Sequence, residues 1–128
     1  YNSNPPCMAA TRAALDMLSA DDGALLKHAH AMGEQLMTGI KALGRAAGRD
    51  VHVRGVPTAF FVSFNDREEI VDYRTSTTRD RDAYGRFWTA LQERGIRTIP
   101  EGLWFVSTAH TQADVDETLA AVKEAMGA

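Results

Sequence analysis

The sequence predicts an α+β fold, a small and mostly antiparallel sheet of three to four strands covered by helices in the order ααββαββα. Three observations carry this. Apolar spacing switches from the 3.6 period of helices to the 2 period of strands and back, twice. Both strand pairs are joined by hairpin-length links, which favours antiparallel neighbours. At 128 residues, 45% apolar and 24% charged, the chain has the size and balance of one globular domain that needs no disulfide or structural metal.

Asn4-Pro5-Pro6 opens the first helix, because asparagine caps well and proline suits a first turn that needs no amide hydrogen. Met8, Thr11, Leu15 and Leu18 follow at helical spacing, and Ser19 to Asp22 is a polar break. The stripe of Leu25, Leu26, Ala29, Met32, Leu36, Ile40 and Leu43 then gives a long second helix ending near Gly44 or Gly48.

Val51 to Arg54 alternates, and Ala59 to Phe64 is rich in aromatic and β-branched residues, so both read as strands with a bend at Gly55 and Pro57. Asn65 to Thr78 is polar and weakly periodic, a long connection. Asp80 caps a third helix with Tyr84, Phe87, Trp88 and Leu91 on one face, and Gly95 stops it. Ile96 to Ile99 and Leu103 to Val106 read as two short strands around Pro100-Glu101-Gly102. Thr111 and Asp114 form a capping signature before a last helix carrying Val115, Leu119, Val122 and Met126.

Composition excludes some functions. A net charge of -3 argues against nucleic acid as a partner, and no apolar run is long enough to span a membrane. No P-loop, GxGxxG or CxxC pattern occurs. Cys7 is the single cysteine and reads as a buried thiol. Phe60, Phe61, Phe64, Phe87 and Trp88 follow strand and helix periods and read as core.

Candidate chemistry is sparse. Ser107 and His110 sit three apart and invite comparison with a nucleophile and its base. No third group or oxyanion donor is identifiable, so a strand end running into a capped helix is the better reading. His28 and His30 are two apart, on different helical faces, so a metal site is not expected, and His52 is isolated. Glu68-Glu69 reads as a solvated surface pair. Lys27, Lys41 and Lys123 all fall on expected helices, where solvation is the ordinary state.

Residues 2–10 (NSNPPCMAA), 86–95 (RFWTALQERG) and 104–111 (WFVSTAHT), followed by Asp114 and Asp116, together resemble the C-terminal part of class III aminotransferases. The branch most like this chain is that of the glutamate-1-semialdehyde 2,1-aminomutases. The resemblance implies the C-terminal small domain of a fold-type I enzyme, with residues 1–128 forming one domain and the large domain absent. It implies pyridoxal 5'-phosphate in the full-length parent, held on a lysine of the large domain. None of Lys27, Lys41 or Lys123 matches that lysine's motif, so no catalytic or cofactor-binding residue and no bound cofactor are expected in this chain.

The resemblance further implies that the domain closes over a small amino-group substrate. Its partners would be its own large domain and the second subunit of a homodimer, in the cytoplasm. Tyr1 would fall at the boundary of the small domain. Relatives place an acid, from a Phe-Glu-Ala segment, at the position of Gly102; Glu101 is offset by one and is the single substrate-cleft candidate. Leu103 stands where ornithine-type relatives carry an arginine, and Pro57-Thr58-Ala59-Phe60 replaces the aminomutases' usual Gly-Ser-Met-Phe at the cleft edge. The competing expectation is a free-standing α+β ligand-binding or regulatory module.

Overall fold

A computed structural model describes residues 4–66 and 70–127, so the expectations for Tyr1 to Ser3 and for Glu68 and Glu69 lie outside it. The order is α1 (Pro5–Ala46), β1 (Val51–Val56), β2 (Ala59–Phe64), α2 (Tyr73–Ser76), α3 (Arg81–Glu93), β3 (Leu103–Phe105) and α4 (Gln112–Ala125). The two expected N-terminal helices are both present, joined without a loop. Ala20 to Gly23 leave helical geometry inside α1, and Asp21, Asp22 and Gly23 take φ of 49°, 56° and 71° in succession. Left-handed backbone costs a non-glycine residue about 1–2 kcal/mol, so the break is a strained corner.

Before that corner α1 is almost wholly exposed. Its buried residues begin at Ala29 and continue through Met32, Leu36 and Ile40 to Gly44. Cys7 is accordingly exposed rather than buried, because the segment carrying it packs against nothing among the described residues. The helix ends at Ala46, and Gly48 (φ 66°) provides the left-handed residue beyond it.

The sheet has the order β1-β2-β3 and is antiparallel throughout. Val51 pairs with Phe64 and Val56 with Ala59, so Pro57-Thr58 is a two-residue turn and β1 runs on through Gly55. Phe60 pairs with Trp104 and Phe61 with Leu103. Alternation then sorts the side chains. Val53, Phe60, Val62, Phe64 and Trp104 face the helices and are buried. Phe61 lies on the other face, half-buried, which corrects its reading as core.

α1 covers β1, α3 covers β2, and α4 closes the layer against α1 and α3. Ile40, Phe60, Val62, Phe87, Leu91, Val115 and Val122 form the centre of the core. Phe64 meets Phe87 edge-on at 5.4 Å, a favoured aromatic geometry. Trp88 is half-buried and donates its indole N–H to the Thr98 carbonyl at 3.0 Å.

One expected strand does not form. Residues 96–99 run beside β3, but only the Ile99 N–H to Leu103 carbonyl bond, 3.2 Å, links them in that direction. Side chains of α3 take their carbonyls instead: Gln92 donates to Ile96 and Trp88 to Thr98. Among the described residues the sheet therefore has three strands. Within the long connection, Asp72 and Thr75 form a capping box that nucleates the single turn of α2. Of the expected caps, Asp80 accepts from the Ala83 N–H and Thr111 forms its box with Asp114, whereas Asn4 stands at the N-cap position of α1 without a side-chain hydrogen bond, the proline-led first turn presenting fewer free amides to accept from.

Candidate substrate-cleft edge

Three segments distant in sequence converge at the β1–β2 end of the sheet. α1 passes so close to the Pro57-Thr58 turn that a Cβ at position 33 would overlap the Pro57 carbonyl, so only Gly33 fits. The Thr58 carbonyl accepts from the Val106 N–H at 3.0 Å, which ties the turn to the residue after β3. The loop that follows is then held back to α1, where His28 Nε2 donates to the His110 carbonyl at 2.7 Å.

Within that loop the Ser107 N–H donates to His110 Nδ1 at 3.0 Å, and Ser107 Oγ lies 3.1 Å from the same nitrogen. A ring nitrogen that accepts a main-chain hydrogen carries no proton, so the imidazole hydrogen is on Nε2. Ser107 Oγ also accepts from the Ala109 N–H at 3.3 Å. Hydroxyl and imidazole are thus both engaged in shaping the turn, and among the described residues no carboxylate is bonded to His110 to orient it as a base. The pair is a staple of the strand-to-helix link. Next to it, two short bonds of 2.7 Å from the Thr111 Oγ and N–H hold the Asp114 carboxyl below its ordinary pKa.

Glu101 is exposed in the turn before β3. Its neighbour Gly102 adopts φ 114°, with its own carbonyl accepting from the Val62 N–H at 2.8 Å. A Cβ there would stand 2.5 Å from the Val62 carbonyl oxygen and 2.8 Å from the Phe61 ring. The backbone at 102 therefore has no room for the acid that the resemblance led us to expect at that position. Across the sheet edge, burial raises the Tyr84 hydroxyl pKa; a hydrogen bond from Trp104 Nε1, 3.3 Å away, and the charge of Arg79 oppose this, while Glu101 adds to it.

The three lysines are solvent-facing. Lys27 pairs with Asp22 at 2.5 Å, Lys41 borders an open hollow of about 420 Å³ beside Arg45 and Asp66, and Lys123 lies in the last turn of α4. Pyridoxal phosphate held on a lysine needs that amine enclosed with donors around the phosphate. The residues described here do not provide such an enclosure. No group of three His, Cys, Asp or Glu side chains able to hold a metal occurs among the described residues. Likewise, none of the described helices is long and apolar enough to cross a membrane.

Sequence reading singled out Ser107, His110 and Glu101, and the fold places all three around β3. It missed His28 and Gly33, whose partners lie 82 and 24 positions away. No periodicity reports such a contact, although a glycine in the middle of a long helix signals close approach.

No family model matches the chain. It is 34% identical, over 97% of its length, to the glutamate-1-semialdehyde 2,1-aminomutase of Chloroflexus aggregans, and 29% identical over 98% to that of Desulfitobacterium hafniense strain DSM 10664 / DCB-2. The chain spans about 30% of the length of these relatives. In fold it is similar to an omega-transaminase from Sphaerobacter thermophilus, with a TM-score of 0.80 and 24% identity over 98% of this chain and 28% of that one. A β-phenylalanine aminotransferase from Variovorax paradoxus matches 77% of the chain, with a TM-score of 0.63 and 24% identity, covering 23% of its own length.

Proposed function

Because the chain is related over nearly its whole length to glutamate-1-semialdehyde 2,1-aminomutases and spans less than a third of theirs, we propose that it is the C-terminal small domain of a class III, pyridoxal-phosphate-dependent aminotransferase or aminomutase. The observation that carries this is the near-complete match in sequence and fold to one part of much longer proteins. In this reading residues 1–128 are one domain of the parent. The large domain supplies the lysine and the cofactor contacts, and a second subunit completes a cytoplasmic homodimer.

Pyridoxal phosphate, when bound in the parent, would act as the electron sink for moving an amino group. What this chain contributes is a wall. The Pro57-Thr58 turn and the Ser107–His110 loop are cross-tied to α1, so they present a rigid edge to a small amino-group substrate and help exclude water from it. Glu101, at the outer end of β3, is the proposed substrate-facing acid.

The helix before the Ala20–Gly23 corner also supports the domain reading. Its exposed Met8 and Leu15, seven positions apart, share one helical face, and a helix of this length is marginal in water without packing. The competing free-standing module would leave that surface uncovered. The test is borohydride reduction in the presence of pyridoxal phosphate. The full-length parent should retain one cofactor per subunit on a lysine upstream of Tyr1, and the 128-residue chain should retain none. A stoichiometric adduct on Lys27, Lys41 or Lys123 would overturn the assignment.

A further inference from the structure

The connection after β2 folds back over the face of the sheet turned away from the helices, and it does not fill the space beneath it. A hollow of about 210 Å³ remains between the connection, at Ile70 and Arg79, and the strands, at Arg54, Phe61 and Ser63. We propose that this hollow is a binding site for a small aromatic monocarboxylate of the size of benzoate. The inference stands on this chain's own residues and does not depend on the domain reading above.

Strand parity sets the floor. Phe61 and Ser63 alternate with the core-facing Phe60, Val62 and Phe64, so both point away from the helices. Ser63 is nonetheless only 4% exposed, because the connection lies over it. Its hydroxyl makes no hydrogen bond among the described residues, and a buried hydroxyl left unpaired is costly. The other polar side chains beside it are already engaged. Ser76 donates its hydroxyl to the Tyr73 carbonyl at 2.7 Å, and His52 donates from Nε2 to the Asn65 carbonyl at 3.2 Å.

The walls are apolar: the Phe61 ring, the Ile70 side chain and the methylene stems of the two arginines. Arg79 lies over the Phe61 ring, 5.2 Å from its centroid, and Arg54 donates one N–H to the Ile70 carbonyl at 2.5 Å, which pins the connection to β1. Neither guanidinium has a carboxylate partner among the described residues, whose ion pairs involve Arg12, Lys27 and Arg94. Arg54 is exposed and Arg79 half-buried, so their charge stands at the mouth. Arg54 pairs with Phe61 in register and is therefore diagonal to Ser63 on the same face, within reach of one small ligand.

Size and chemistry then select the ligand. A buried water needs about two to four polar partners, and one hydroxyl between apolar walls does not hold a cluster of them. An apolar cavity of about 150 Å³ accepts benzene, so this one has room for a ring and a substituent. The ring would lie against Phe61 and Ile70. The substituent must accept from one hydroxyl and face two unpaired guanidinium groups, which a carboxylate does and an ammonium or a neutral group does not.

The experiment is fluorine NMR of para-fluorobenzoate titrated with the full-length gene product. The expected Kd is about 1 mM or tighter. Two ligand controls need no variant: para-fluorobenzamide keeps the shape without the charge, a fluorinated naphthoate exceeds the volume, and each should bind at least tenfold more weakly. Ile70→Trp fills the hollow from the connection and Arg79→Gln removes charge at its mouth, and each should weaken para-fluorobenzoate at least tenfold in a protein whose urea midpoint shows it folded. No binding at about 5 mM overturns the proposal. So does unchanged affinity in Ile70→Trp, which would put the ligand elsewhere on the protein, and so does equal binding of the benzamide. None of these outcomes bears on the domain assignment, which lysine trapping of the cofactor decides.

Discussion

Replacing Gly102 by alanine tests the geometry at the start of β3 directly. The residue sits at φ 114°, where a side chain costs about 1–3 kcal/mol in backbone strain. The new methyl would meet the Val62 carbonyl oxygen at 2.5 Å, and overpacking of this kind adds about 1–3 kcal/mol. The obstacle is backbone, which cannot rotate away as a side-chain tip can. A combined loss of about 2–6 kcal/mol, divided by a urea dependence of about 2 kcal/mol per molar, lowers the unfolding midpoint by about 1–3 M. Gly85→Ala is the internal control. It lies in α3 with nothing within 4 Å of its would-be Cβ, so the better helix propensity of alanine should raise the midpoint by up to about 0.5 M. If Gly102→Ala unfolds within about 0.2 M of the unaltered chain, the reasoning about this backbone is wrong. So is the conclusion that position 102 excludes a glutamate.

Glu101→Gln in the full-length parent should lower turnover, since the variant keeps the shape and removes the charge; unchanged kcat and KM would take Glu101 out of the cleft. Gly33→Ala should push α1 off the Pro57-Thr58 turn and cost at least about 2 kcal/mol in urea unfolding, because the clash is with a backbone carbonyl. The capping carboxylates set a pH dependence. Asp114 is lowered by the Thr111 hydroxyl and N–H, and Asp72 by the Thr75 N–H and hydroxyl. A carboxylate with a folded pKa below the unfolded value stabilises fully above the ordinary carboxylate range and loses that stabilisation as pH falls through its lowered folded pKa. Carbon-detected NMR titration should therefore find both carboxyls titrating below pH 3.8, and α2 and α4 fraying at their N-termini only below that point. A midpoint at or above 3.8 would contradict the capping geometry.

Much of the fold was legible because the signals are local. Ala59 to Phe64 was bounded correctly by its composition, Gly95 and Gly48 by their need for positive φ, and the last two helices by Asp80 and Thr111, whose caps act within three residues. What was not legible depends on partners far along the chain. Residues 96–99 have a strand's composition, but Trp88 and Gln92, from the preceding helix, claim their carbonyls. Phe61 was assigned to the core by hydrophobicity, while pairing parity turns it outward. Cys7 was expected inside because thiols usually are, and it is exposed because no described residue of α1 before the Ala20–Gly23 corner is buried. The proposed cleft edge was half-visible: Ser107 and His110 could be named from the sequence, but the tie of His110 to His28 spans 82 positions. In the proposed domain reading the catalytic groups would lie in the large domain, outside the residues read here.

The corner at Ala20–Gly23 also divides the chain for the experimenter. Residues 5–19 add length and apolar surface but no fully buried residue, so a protease should sever the chain first at the Ala20–Gly23 corner, where left-handed backbone is largely exposed. Whatever unfolding curve the 128 residues give, its midpoint will belong to the body that begins after Gly23. The piece before it will register chiefly as stickiness, in self-association and in losses to surfaces, and trimming it is the practical route to a well-behaved sample.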